Sequence, residues 1–177
     1  LDKLYDESFF RGATLLHHVA GNPIRSELQA NVVDIAHALI AAGADPEAVT
    51  IDSTSILSLV VDAEQPRWLG VDADLVRLLI DAGANPNGRG GYLLWNAVVD
   101  GQERLAQILV DAGALFDIRI AAGLNRVDLL QRFLDQDGSL THPVTPLYHP
   151  QSELPDTTIV LSPQETIDHA LSMAAMR

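Results

Sequence analysis

Cysteine is absent from this 177-residue chain. That excludes disulfide staples, thiolate nucleophiles and cysteine-ligated zinc, and it fits a cytoplasmic protein. Lysine is almost absent: Lys3 stands beside ten arginines, and these 11 bases face 24 acids for a formal net charge of −13. Such a balance repels phosphate backbones, which argues against nucleic acid as a partner. It favours basic partners and speeds their approach. Solubility alone, or adaptation to high salt, reads the same composition differently. No apolar run approaches the ~20 residues that span a bilayer, so no membrane partner is expected. The opening "LDKLYDESFF" lacks the basic and apolar regions of a signal peptide.

What is present is a phrase written three times: "LIAAGADP" at Leu39–Pro46, "LIDAGANPN" at Leu79–Asn87 and "LVDAGA" at Leu109–Ala114. Apolar residues at helical spacing precede the glycine of each copy: Val32, Ile35, Ala36, Leu39 and Ile40 before Gly43; Leu75, Leu78 and Leu79 before Gly83; Leu105, Ile108 and Leu109 before Gly113. Residues three and four apart share a helix face, so each run predicts a helix with one apolar stripe. Gly43, Gly83 and Gly113 then supply the left-handed residue that ends a helix, and Pro46 and Pro86 cannot continue one. Each of these helices has an earlier companion, "ATLLHHVAG" (Ala13–Gly21), "SILSLVVDA" (Ser55–Ala63) or "YLLWNAVVDG" (Tyr92–Gly101). A recurring helix pair is the signature of a repeat architecture.

Together these residues resemble the ankyrin-repeat family in a divergent, bacterial-type form. Thr14-Leu15-Leu16-His17 matches its Thr-Pro-Leu-His pattern with Leu for Pro, and Tyr92 to Gly113 matches its spacing without gaps. A fourth unit runs from Phe116 to Asp137, with Asn125 at the inter-helix glycine, and a fifth restarts at His169. The resemblance implies an all-α, ankyrin-type helical-repeat solenoid with irregular fingers and long inserted loops. Its Thr–His tie is kept only by Thr14 and His17. Ser55 and Ser58, Tyr92 and Trp95, and Phe116 and Arg119 occupy those positions elsewhere, so packing is expected to replace the tie there.

The expected organisation is an N-terminal segment or incomplete repeat at 1–11 and four repeats over 12–138. A Pro-rich connector at 139–163 and the first helix of an unfinished repeat at 164–177 follow. The connector includes a candidate strand at "TTIVL" (Thr157–Leu161). Surplus loop falls in Gly21–Asn31 and Glu64–Asp74, while Gly113 to Phe116 is short enough to require a tight turn. The last helix, near Thr166–Met176, follows Ser162, Pro163 and Glu165, which make a capped entry. The half repeat and the missing initiator methionine are read as marks of a longer protein.

Chemistry-bearing motifs are sparse. His17 and His18 are adjacent and point different ways, and His142 and His149 fit no metal spacing. Ser53, Ser55 and Ser58 have no histidine close in sequence, and capping explains them. Asp72 with Asp74, and Asp135 with Asp137, adjoin helix ends. Gly88–Gly91 lacks the Lys and Ser/Thr of a nucleotide loop and reads as a finger turn. No metal or other cofactor is expected. The resemblance implies a non-catalytic module that binds a protein or peptide, with basic groups favoured, on a concave face. Its contact positions are Phe10, Arg11, Asp52 and Arg89 on fingers, and Asn22, Asp62, Asp100 and Leu124 at first-helix ends. Arg67 and Trp68, in the second inserted loop, are further candidates, because both types are enriched at hot spots. Against this, Trp68 is expected to fold back on its own helices, and Trp95 to be core. Two other functions stay open. One is an enzyme or accessory domain with a pocket between solenoid and connector, using His142, His149 or Tyr148. The other is self-association through the unfinished repeat.

Overall fold

The computed structural model describes residues 11–21, 31–88, 91–141 and 161–176. Among them the protein is all-α, with isolated bridges at Val49–Ser55 and Leu134–Leu140 and no strand. The chain divides into two compact units, Leu1–Gly88 and Arg89–Arg177.

The first unit holds α1 (Leu15–Gly21), α2 (Val32–Ala41), α3 (Ile56–Asp62), α4 (Glu64–Trp68) and α5 (Asp72–Asp81). α1 packs on α2 and α3, and α5 packs on α3 and α2, so each pair leans on the next in chain order. α3 buries Ile56, Leu57, Leu59, Val60 and Val61, which is nearly its whole surface. α5 buries one stripe of Ala73, Leu75, Val76 and Leu79. A seven-residue helix does not persist alone in water. Burial of its aliphatic side chains, about 1.5–3 kcal/mol each, holds it.

The second unit holds α6 (Tyr92–Val99), α7 (Glu103–Asp111), α8 (Ile118–Gly123), α9 (Val127–Leu130) and α10 (Pro163–Ala175). α6 packs on α7 and α8, and α8 packs on α9 and α10. All six residues of α8 are buried. Gly123 marks the closest approach: a Cβ there would lie 2.6 Å from Val98 Cγ1 on α6 and 3.2 Å from Met173 on α10. Ile118, Ala122 and Ala170 form a local core roofed by Leu130, Phe133, Leu134 and Leu140.

The repeated phrase ends helices as its composition requires. Gly43, Gly83 and Gly113 have φ of 93°, 107° and 87°. Each donates its N–H three residues back, to Ile40, Ile80 and Val110, and the following alanine reaches five back, to Leu39, Leu79 and Leu109, all at 2.9–3.0 Å. This double bond pattern is the Schellman stop. The first helices of the second unit, α6 and α8, stop the same way: Gly101 donates to Val98 and Gln102 to Ala97, and Asn125 donates to Ala122 and Arg126 to Ala121, whereas α3 ends at an extended Ala63. Asn125 has φ of 54°, as its place at the inter-helix glycine implies. α10 opens with the expected capping box of Ser162 and Glu165.

Several expectations change. The second inserted stretch is helical, as α4, because Pro66 lies in its first turn, where no N–H is needed. Ile35 is 37% exposed, so α2 buries only Val32 and Ala36 of its stripe. The fourth unit's second helix shrinks to α9 and a 3-10 turn, Gln131–Phe133. Residues 139–140 do not begin a featureless connector. Asp135 N–H bonds Ser139 O at 2.8 Å and Thr141 N–H bonds Phe133 O at 3.0 Å, closing a small hairpin. α10 begins at Pro163 and not at 164 or 166, since proline suits the first helical position. Leu161 is buried and outside any strand. Thr157, the rest of that candidate strand, His142, Tyr148, His149 and the loop at 22–30 lie outside the described residues.

Candidate functional site

The Thr14–His17 tie forms. His17 Nδ1 accepts from Thr14 N–H at 3.1 Å and from its hydroxyl at 2.8 Å. The imidazole proton therefore sits on Nε2, which donates to the Thr54 carbonyl of the next pair at 3.3 Å. Burial, chiefly, with a smaller contribution from the neighbouring His18, holds the His17 pKa below the usual histidine value.

That bond anchors the turn between α2 and α3. Thr50 N–H bonds Thr54 O at 3.0 Å, and Ser53 N–H bonds Thr50 O at 2.8 Å with Ser53 left-handed at φ 63°. Ile51 N–H bonds the Arg11 carbonyl at 2.9 Å. This brings candidates Arg11 and Asp52 onto neighbouring turns, and both are exposed. Glu47 Oε1 accepts from Asn85 N–H at 2.7 Å and links the turns that follow α2 and α5. Phe10, Asn22 and Arg89 lie outside the described residues.

Asp62 is the last residue of α3, Asp100 caps the C-terminus of α6, and Leu124 caps α8. The first-helix ends thus carry them as the repeat spacing implies, except that Asp62 falls one residue before its C-cap. Asp62 and Asp100 are exposed and Leu124 is half-buried. Asp81 and Asp111 likewise end α5 and α7. A carboxylate at a helix C-terminus faces the negative end of the macrodipole, which costs about 0.3–1 kcal/mol at low salt. A cation beside it relieves that cost.

On α4, Arg67 is half-buried with its Nε enclosed and lacking a hydrogen-bond partner. Trp68 is 73% exposed, contrary to the expectation that it folds back. Buried Pro66 is the residue that seats α4, and the indole at its end is left in water.

Trp95 is half-buried and not core, since it lies beneath a charge: the Arg119 guanidinium is 5.0 Å from its ring centroid. Arg119 is 1% exposed and is held by Asp117, whose Oδ2 accepts from Nε at 2.9 Å and from a terminal nitrogen at 2.6 Å. Asp117 Oδ1 also caps α8 through Arg119 N–H at 2.8 Å. The polar tie is therefore not lost outside the first pair: an ion pair replaces it here. At the N-terminus of α3, the N-cap Ser55 accepts from Ser58 N–H at 3.1 Å, and the Ser58 hydroxyl donates to Ser55 O at 2.8 Å. The sequence held a signal for the ion pair in an Asp placed just before an apolar helix.

The other chemistry candidates have local work. Asp72 and Asp74 sit in the first turn of α5, with Arg77 3.5 Å from Asp74. Asp137 accepts from the Ser139 hydroxyl and N–H, which holds its carboxyl below the usual range. Among the described residues no three His, Asp or Glu side chains are placed to hold a metal ion, and no helix is long and apolar enough to cross a membrane. Comparison with family models, curated proteins and solved structures finds no match.

Proposed function

We propose that the chain is a divergent ankyrin-type repeat protein that works as a non-catalytic module, binding a basic protein or peptide segment through its turns and helix ends. The observation that carries this reading is the repeated stop: three second helices close with the same pair of backbone bonds and the same left-handed glycine. Support for the repeat reading also comes from first helices buried on nearly all sides beside second helices buried on one stripe. Support for a basic partner comes from Asp62, Asp81, Asp100 and Asp111, four carboxylates at helix C-termini in a chain of net charge −13. Each gains when a cation approaches.

Peptide-display selection on the whole chain tests the proposal. The wild-type protein should enrich arginine- and lysine-rich peptides whose affinity falls steeply with added salt and with Asp62→Lys or Asp100→Lys. Selection that converges on no sequence, or on peptides indifferent to salt and to both substitutions, overturns it.

A further inference from the structure

We propose that the exposed face of α4 is a docking ledge for an arginine-bearing, basic peptide segment of a partner, with Trp68 as its anchor. This rests on the interaction-module reading above and names where one partner segment sits and what chemistry it brings.

The ledge is built by a short helix seated through Pro66 that turns its terminal aromatic outward. Trp68 is 73% exposed and Leu69, next to it, 45%. Glu64 lies four residues before Trp68, so carboxylate and indole occupy one helix face a turn apart, and Glu64 is exposed. Between Asp62 and Asp74 the chain carries four acids, Asp62, Glu64, Asp72 and Asp74, against one base, Arg67. An exposed indole with a carboxylate one helical turn away matches a guanidinium in two ways. The ring face attracts the cation, and the carboxylate takes its planar N–H fork.

The same protein uses this arrangement internally. Arg119 lies 5.0 Å from the Trp95 ring centroid while Asp117 holds its nitrogens at 2.6 and 2.9 Å. On α4 the aromatic and the carboxylate are present and face solvent, and the arginine is what the partner supplies. Lysine fits less well, because its ammonium is compact, strongly hydrated and has no planar fork. Leu69 adds an apolar contact for the residue beside the arginine.

Fluorescence anisotropy with a fluorescein-labelled octapeptide of alternating arginine and glycine tests the ledge, with the lysine–glycine peptide as the control for bulk charge. The arginine peptide should bind the wild-type chain several-fold more tightly than the lysine peptide. Trp68→Ala should weaken it about ten-fold and Glu64→Gln about three-fold. Both side chains are exposed, so far-UV circular dichroism should stay unchanged. Asp168→Asn, an exposed change on α10 that removes the same one negative charge, should shift the arginine peptide by less than two-fold. The ledge is refuted if Trp68→Ala binds within two-fold of wild type, if lysine and arginine peptides bind alike, or if the wild-type chain binds neither. Enrichment of basic peptides that ignore Trp68→Ala would remove the ledge and leave the module reading standing. A display selection that fails altogether removes the reading on which the ledge rests.

Discussion

Replacing Asp117 with alanine removes two things at once: the N-cap of α8 and the counter-charge of an arginine that is 1% exposed. Loss of a cap alone costs about 1 kcal/mol. Leaving a buried charge unpaired costs about 3–5 kcal/mol, and that effect dominates. The Trp95 ring still faces the guanidinium and offsets about 1 kcal/mol of this. The expected net loss is therefore about 3–5 kcal/mol, a large share of the ~5–15 kcal/mol available to a domain. With a urea m-value of about 2 kcal/mol/M, the midpoint should fall by about 1.5–2.5 M. Urea unfolding followed by Trp95 emission in a Trp68→Phe background reads the affected unit. The double change Asp117→Ser with Arg119→Met keeps a capping hydroxyl and removes the charge, so it should recover most of the loss. If Asp117→Ala moves the midpoint by less than 0.5 M, or if the double variant is no better than the single one, the ion pair does not hold α8 as argued.

Two further outcomes follow from the same packing. The folded pKa of His17 lies below its unfolded value of about 6.5, so between the two only the unfolded chain binds the proton. The stability from the Thr14–His17–Thr54 tie is thus complete above that value and is lost as pH falls through the folded pKa. His17→Gln should flatten the urea midpoint across that window, and equal pH slopes in both proteins would contradict the assignment. Gly123→Ala forces a Cβ to within 2.6 Å of Val98 Cγ1 and should cost about 1–3 kcal/mol, which Val98→Ala on the same chain should partly restore. Additive losses in a thermal-melt double-mutant cycle would show that the two residues do not meet.

The helix stops were the most legible part of the chain because they depend on local chemistry alone. A glycine after an apolar stripe needs only a left-handed residue, and Gly43, Gly83 and Gly113 each adopt it. The capping box at Ser162 was legible for the same reason. Where the outcome depended on the neighbour, the sequence was silent. Trp68 could as well have packed inward, and only the seating of Pro66 leaves it outside. Arg119 carries no local sign that it lies over Trp95, since the contact crosses from one pair to the next. Ile35 has the right spacing for the stripe but faces solvent at 37% exposure. The early end of α9 depends on the 3-10 turn that brings Phe133 edge-on to Phe116, their centroids 5.8 Å apart. Of the candidate contact residues, sequence spacing located the first-helix ends at Asp62, Asp100 and Leu124. The acids at the ends of the second helices, Asp81 and Asp111, stand in the repeated phrase itself.

The account turns on one repeated stop, and amide hydrogen exchange followed by NMR reads it directly. The N–H groups of Ala44, Ala84 and Ala114 donate back to Leu39, Leu79 and Leu109 at 2.9 Å and are predicted to exchange slowly, all three alike. Asp52 N–H, at an exposed turn tip, should exchange at close to the free rate. Rapid exchange at any one of the three alanines would mean that its helix does not close as the others do, and that the three copies of the phrase are not one structural unit repeated.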